Sequence, residues 1–164
     1  MSLTQLRNLG IVANAGIATT KLGAGAVLQV VMGTTGTEAS SSTTSFADTN
    51  LTATITPSAA SSKVLVLVSQ NGCRKTNGNS NNQLILKLLR TSTDLITFCT
   101  QGGFTQTANY NAIGSASCEY LDTPNTTSAT TYKTQLANGN ASAAVTVQTD
   151  SQSTSTIMLI EIAG

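Results

Sequence analysis

The stretch Thr56-Pro57-Ser58-Ala59-Ala60-Ser61-Ser62-Lys63-Val64-Leu65-Val66-Leu67-Val68-Ser69 sets a Pro-Ser-Ala turn before one of the most apolar runs in the chain. Its β-branched valines between turn-forming residues read as a strand. The run Val64 to Val68 does not alternate, so both of its faces are apolar. Such a strand is expected under two layers, either at the centre of a sandwich or between a sandwich and a neighbouring subunit. Ile157-Met158-Leu159-Ile160-Glu161-Ile162 has the same character apart from Glu161.

Short apolar runs bounded by Gly, Asn, Ser or Pro recur along the chain about every 10 to 15 residues, an all-β signature. In Thr52-Ala53-Thr54-Ile55-Thr56 the threonines fall on one face and Ala53 and Ile55 on the other, as in a half-buried strand. The pattern predicts strands over residues 26–32, 43–49, 51–56, 63–70, 83–90, 95–100, 115–121, 130–136, 143–149 and 154–162. It also suggests two similar hairpins, residues 53–56 with 64–68 and residues 145–148 with 157–162, each closed by a Ser-rich turn. Helical periodicity is confined to the start, where Ser2-Leu3-Thr4-Gln5 has capping-box form and Leu3, Leu6 and Leu9 share a face.

The 164 residues suit one domain, with 9% charged side chains, 4% aromatic, no histidine, no tryptophan and a net charge of +1. Ser, Thr, Asn and Gln occupy the positions where most domains place Lys and Glu. Polar tracts of this kind often stay unfolded, but 40% hydrophobic content in strongly apolar strands argues for a packed core. The cations are scattered, with only Arg74 and Lys75 adjacent, so no nucleic-acid surface is expected. No apolar run approaches the roughly 20 residues that span a bilayer, and the first residues lack a signal-peptide core; the expectation is synthesis in a cytoplasm without membrane insertion.

The absence of histidine excludes Ser-His and Cys-His nucleophile pairs and His-bearing zinc sites. Cys73, Cys99 and Cys118 are odd in number and have no CxxC spacing, which suits reduced, partly buried thiols; a Cys99–Cys118 bridge is the alternative. Asp94, Glu119, Asp122 and Asp150 are the carboxylates a glycosidase would need to pair, although a few acids in a β domain more often cap turns. Gly23-Ala24-Gly25 precedes a strand, not a helix, and reads as a hinge instead of a phosphate loop. No catalytic residue, metal ligand or cofactor is therefore assigned.

Residues 10–25 carry isolated apolar side chains without room for a core, so residues 1–25 are expected to form an arm that docks on something else, and residues 26–164 the folded domain. Leu3, Leu6, Leu9, Ile11, Val12 and Ile17 are its candidate anchoring contacts. Residues 71–82 and 101–114 read as exposed loops. Arg74, Lys75 and Asn77 in the first, with Phe104 and Tyr110 in the second, are candidates for holding a sugar by hydrogen bonds and ring stacking. The plainer reading is that Asn/Gly loops are how β proteins turn and that Phe104 covers an edge of the core.

The phrases Val27-Leu28-Gln29-Val30-Val31, LTATITPSAASSKVLVLVSQNG at 51–72, LDTPNTTSATTYKTQL at 121–136 and STSTIMLIEIAG at 153–164, in this order and spacing, resemble a β-sandwich module of bacteriophage virion proteins. The resemblance is to tail-fibre and head-fibre proteins of marine and cyanobacterial phages, and it spans about Ala26 to Gly164. Residues 16–22 are similar to the linkers that enter such modules. The resemblance implies a jelly-roll-like antiparallel β-sandwich with a short N-terminal arm, forming a homotrimer, in a structural protein at the virion surface. No extended shaft or large attachment domain is present, so a short fibre or capsid-decoration protein fits the length better than a full tail fibre. The implied partners are other virion proteins of capsid or tail, and, in the alternative of a receptor-binding tail-fibre module, a host-surface glycan. A trimer would also give the doubly apolar strands a second surface to bury, at about 25 cal/mol per Å² of apolar area.

Overall fold

The computed structural model of the chain describes residues 22–76, 81–104, 111–141 and 143–164. Among them the strands are β1 (Val27–Thr35), β2 (Ala39–Ser41), β3 (Ala47–Ile55), β4 (Lys63–Lys75), β5 (Leu84–Arg90), β6 (Thr93–Gly102), β7 (Asn111–Asp122), β8 (Thr130–Asn138), β9 (Val145–Val147) and β10 (Ser155–Ile162). A 3-10 turn, Thr149–Ser151, lies between β9 and β10. The expected N-terminal helical turns, and the anchoring residues Leu3 to Ile17, lie outside the described residues.

Every strand pairing is antiparallel, and the strands form two sheets. One has β1, β10 and β4 side by side, with β7 on the far side of β4; the end of β4 also pairs with β9, and β9 with β2. The other runs β3-β8-β5-β6. Setting aside the short β2 and β9, the chain distributes eight strands over two four-stranded sheets in the order of a jelly roll, as expected. The sheets pack face to face through the residues that alternate inward along each strand.

This topology overturns the two expected hairpins. β3 pairs with β8, not with β4, and β9 pairs with β2 and β4, not with β10. The Ser-rich turn at 56–62 carries the chain from one sheet to the other instead of folding it back on itself. Segments 43–49 and 51–56 are not two strands: residues 42–45 bend, and a single β3 runs through Asn50, whose φ of 65° marks a shift in register with β8. β2 was not expected.

The expected loop at 71–82 begins later than the sequence suggested. β4 continues to Lys75 because β7 and β9 supply partners on its two sides, and Gly72, at φ 60°, absorbs the irregularity. A β-carbon there would meet the Thr149 backbone nitrogen at 2.7 Å, so only glycine fits. β7 likewise begins at Asn111, inside the stretch read as a loop.

The core has two apolar parts. Leu51, Ile55, Val64, Val66, Val68, Leu88, Tyr132, Ile157 and Leu159 form the larger, and Cys73, Leu84, Leu86, Leu136, Val145 and Val147 the second. A buried polar chain links the sheets. Gln148 and Gln70 both donate to Ser155 Oγ, at 2.8 and 3.1 Å, while Thr134 donates to Gln70 Oε1 at 2.8 Å. Thr49 in turn donates to the Thr134 carbonyl at 3.2 Å. Buried amide and hydroxyl groups are expected to be paired, and this polar chain pairs most of its own across the layers, with Gln148 Oε1 the exception.

Candidate functional site

β4 alternates in burial although it does not alternate in polarity. Val64, Val66 and Val68 point into the core, whereas Leu65 and Leu67 stand half-buried on the outer face of the sheet. No second layer of this chain covers them among the described residues. The register extends this outer face into rows. Val30, Ile160, Leu65 and Leu121 stand side by side across β1, β10, β4 and β7. Met32, Met158, Leu67 and Glu119 form the next row, and Val27, Ile162 and Lys63 the row on the other side. Val30 is 55% exposed, Met32 59% and Leu121 52%. Beyond Met32 the face turns to uncharged hydroxyls: Thr34, Thr156, Ser69 and Ser117.

Of the candidate sugar-binding residues, Arg74, Lys75 and Phe104 lie at one end of the sandwich. Asn77 and Tyr110 are outside the described residues. Arg74 and Lys75 sit in the last turn of β4's pairing, not in a loop. Arg74 Nε donates to Thr146 Oγ1 at 3.1 Å, its guanidinium pairs with Asp150 at 3.2 Å and lies 3.7 Å from Glu38, and Lys75 is fully buried. Phe104 is partly exposed. The fold does bring the two segments together: a β-carbon at Gly103 would stand 3.4 Å from that of Lys75.

Two clefts open elsewhere. One of about 310 Å³ is lined by Leu22, Leu28, Ser58, Ser62, Ala163 and Gly164 among others, beside the buried Glu161. The Glu161 carboxylate accepts from the Ser58 amide and hydroxyl, both at 2.7 Å, and from Gln29 Nε2. Burial opposes its charge, but these donors together hold its pKa below the ordinary glutamate value. The other cleft, about 300 Å³, lies at the β3 irregularity and contains the Lys133–Asp48 ion pair at 2.9 Å.

The four carboxylates considered for catalysis are held by different partners. Asp94 pairs with Lys87 at 2.9 Å, Asp122 with Arg90 at 2.9 Å, and Asp150 with Arg74, while Glu119 stands on the outer face. No group of three or more Cys, Asp or Glu side chains among the described residues is arranged to hold a metal ion. Cys73, Cys99 and Cys118 are all free thiols, so the alternative of a Cys99–Cys118 bridge is not realised. No helix among the described residues is long and apolar enough to cross a membrane.

No protein-family model matches this chain, and no curated protein matches it.

The feature that sequence reasoning anticipated only in part is the outer face. The doubly apolar β4 and β10 signalled it, but exposed Val30, Met32 and Leu121 join it only through pairing with strands distant in sequence.

Proposed function

We propose that the chain is a structural component of a bacteriophage virion, a homotrimeric short fibre or capsid-decoration protein displayed at the particle surface. The observation that carries this reading is the exposed apolar outer face of β1-β10-β4-β7 on a jelly roll. A contiguous patch of this kind on an otherwise polar domain marks an association surface. The scarcity of charge suits repeated subunit contacts, since Ser and Thr rows pair across neighbours without the desolvation cost of ions. The reading also draws on the resemblance of residues 26–164 to fibre modules, and it assigns attachment to the particle to residues 1–25.

Its test is incorporation. Deleting residues 1–25 is expected to release the protein from particles while leaving the sandwich folded; normal incorporation of the truncated chain rejects the arm as the anchor.

A second reading is favoured by the convergence of Lys75 and Gly103 beside the partly exposed Phe104. In it the same end of the sandwich binds a host-surface glycan. Binding on a glycan array that is lost in Phe104→Ala supports this; absence of binding to any glycan rejects it.

A further inference from the structure

The ion pairs of the domain account for nearly all of its exposed charge. Arg74, Lys87, Arg90 and Lys133 each lie against a carboxylate, and Glu38, Asp48, Asp94, Asp122 and Asp150 are those carboxylates. Glu161 is buried among its donors. Among the described residues, the exposed charges outside these pairs are Lys63 and Glu119. They have opposite sign, and both stand on the outer apolar face. They also bracket it: Lys63 closes the row of Val27 and Ile162, and Glu119 closes the row of Met32, Met158 and Leu67.

We infer that this face is where copies of the chain meet, with Lys63 of one copy against Glu119 of the next. This inference rests on the trimeric reading above and specifies its interface. The middle row, Val30-Ile160-Leu65-Leu121, lies along the rotation axis, and the two flanking rows of each copy abut those of its neighbours. Any rotation about an axis running across the strands over the middle row brings the Lys63 side of one copy to the Glu119 side of the next. The two residues stand on adjacent strands, about 4.8 Å apart in that direction, within reach of two flexible side chains.

Four strands and three apolar rows make a patch of about 19 by 20 Å at ordinary strand and residue spacings, roughly 400 Å² on each copy.

The test is charge exchange, read as mass in solution by light scattering across a dilution series, with circular dichroism melting to confirm folding. Lys63→Glu and Glu119→Lys place like charges together, and each is expected to weaken assembly on the order of tenfold or more. The double variant Lys63→Glu/Glu119→Lys is expected to restore it. Leu121→Glu, at an exposed position on the axis, is expected to give monomers. An equal mixture of the two single variants recovers only in part in a ring of three, because one contact stays mismatched; complete recovery as a two-fold pair overturns the three-copy arrangement. A wild-type trimer indifferent to these substitutions overturns this face and leaves the trimer standing. A wild-type monomer overturns both, while incorporation of the full chain into particles is read separately.

Discussion

Tyr132, on β8 of one sheet, donates a 2.7 Å hydrogen bond from its hydroxyl to Asp122, on β7 of the other. Arg90 on β5 approaches the same carboxylate at 2.9 Å, so one buried acid joins the two layers at the edge of the larger core. Burial, and then the neighbouring carboxylate, push the Tyr132 phenol far above its ordinary pKa, which keeps it a donor. Asp122→Asn is expected to destabilise the fold by about 2 kcal/mol, less than a fully enclosed pair would lose because Arg90 is partly solvated. Tyr132→Phe is expected to cost about 1 kcal/mol. Urea denaturation of the two variants measures both, and a neutral Asp122→Asn would contradict the bridging role.

Glu161 makes the stability acid-sensitive. Burial raises its pKa, but its hydrogen bonds outweigh that and leave the folded value below the ordinary 4.5. A carboxylate depressed in the folded state binds protons more readily when unfolded. Its contribution is therefore complete above about pH 4.5 and is lost as the pH falls through the folded value. Melting temperature followed from pH 7 to pH 3 is expected to fall less steeply in Glu161→Gln than in the wild type; parallel curves would remove Glu161 from this role.

The thiols are expected to be inert in the native protein. Burial pushes Cys73 up to about 12 and Cys118 up to about 11, and raises Cys99. Thiolate is the reactive form, so little reacts near pH 8. Ellman's reagent is expected to titrate the three cysteines rapidly only after denaturation. Fast labelling of the folded protein would contradict this inertness.

Gly33 sits where β1 passes over β3. A β-carbon there would lie 2.0 Å from the Thr52 carbonyl oxygen, a backbone atom that cannot rotate aside. Gly33→Ala is expected to cost about 2 to 3 kcal/mol by forcing the sheets apart at this seam. Thermal melting checks it, and an unchanged transition would mean that the seam yields easily.

Much of the fold class is legible in the residues themselves. The strand at Val64 to Val68, the alternation in Thr52 to Thr56 and the ten apolar runs of 26–164 predict an all-β domain, and the resemblance to fibre modules adds the jelly roll. The departures from that reading share a cause. Asn50 looks like a terminator and is a register shift inside β3; Asn71 and Gly72 look like a loop and lie within β4, where strands from far along the chain supply partners. The hairpin between residues 53–56 and 64–68 failed because nearness in sequence does not choose a partner: Ala53 pairs with Tyr132.

The outer apolar face divides in the same way. Apolar character on both sides of β4 and β10 is written in the residues, since side chains alternate with a period of two whatever the strand pairs with. Which outer positions join into one surface depends on long-range register, which aligns Val30 with Ile160, Leu65 and Leu121. That Lys63 and Glu119 stand outside the ion pairs was likewise invisible, because a charge is paired or unpaired only once folding has placed its neighbours. The sequence by itself determined where strands form and which of them are apolar, through local stereochemistry and alternation. The tertiary structure alone decided partners, faces and unpaired charges, because these arise from contacts between residues far apart in the chain.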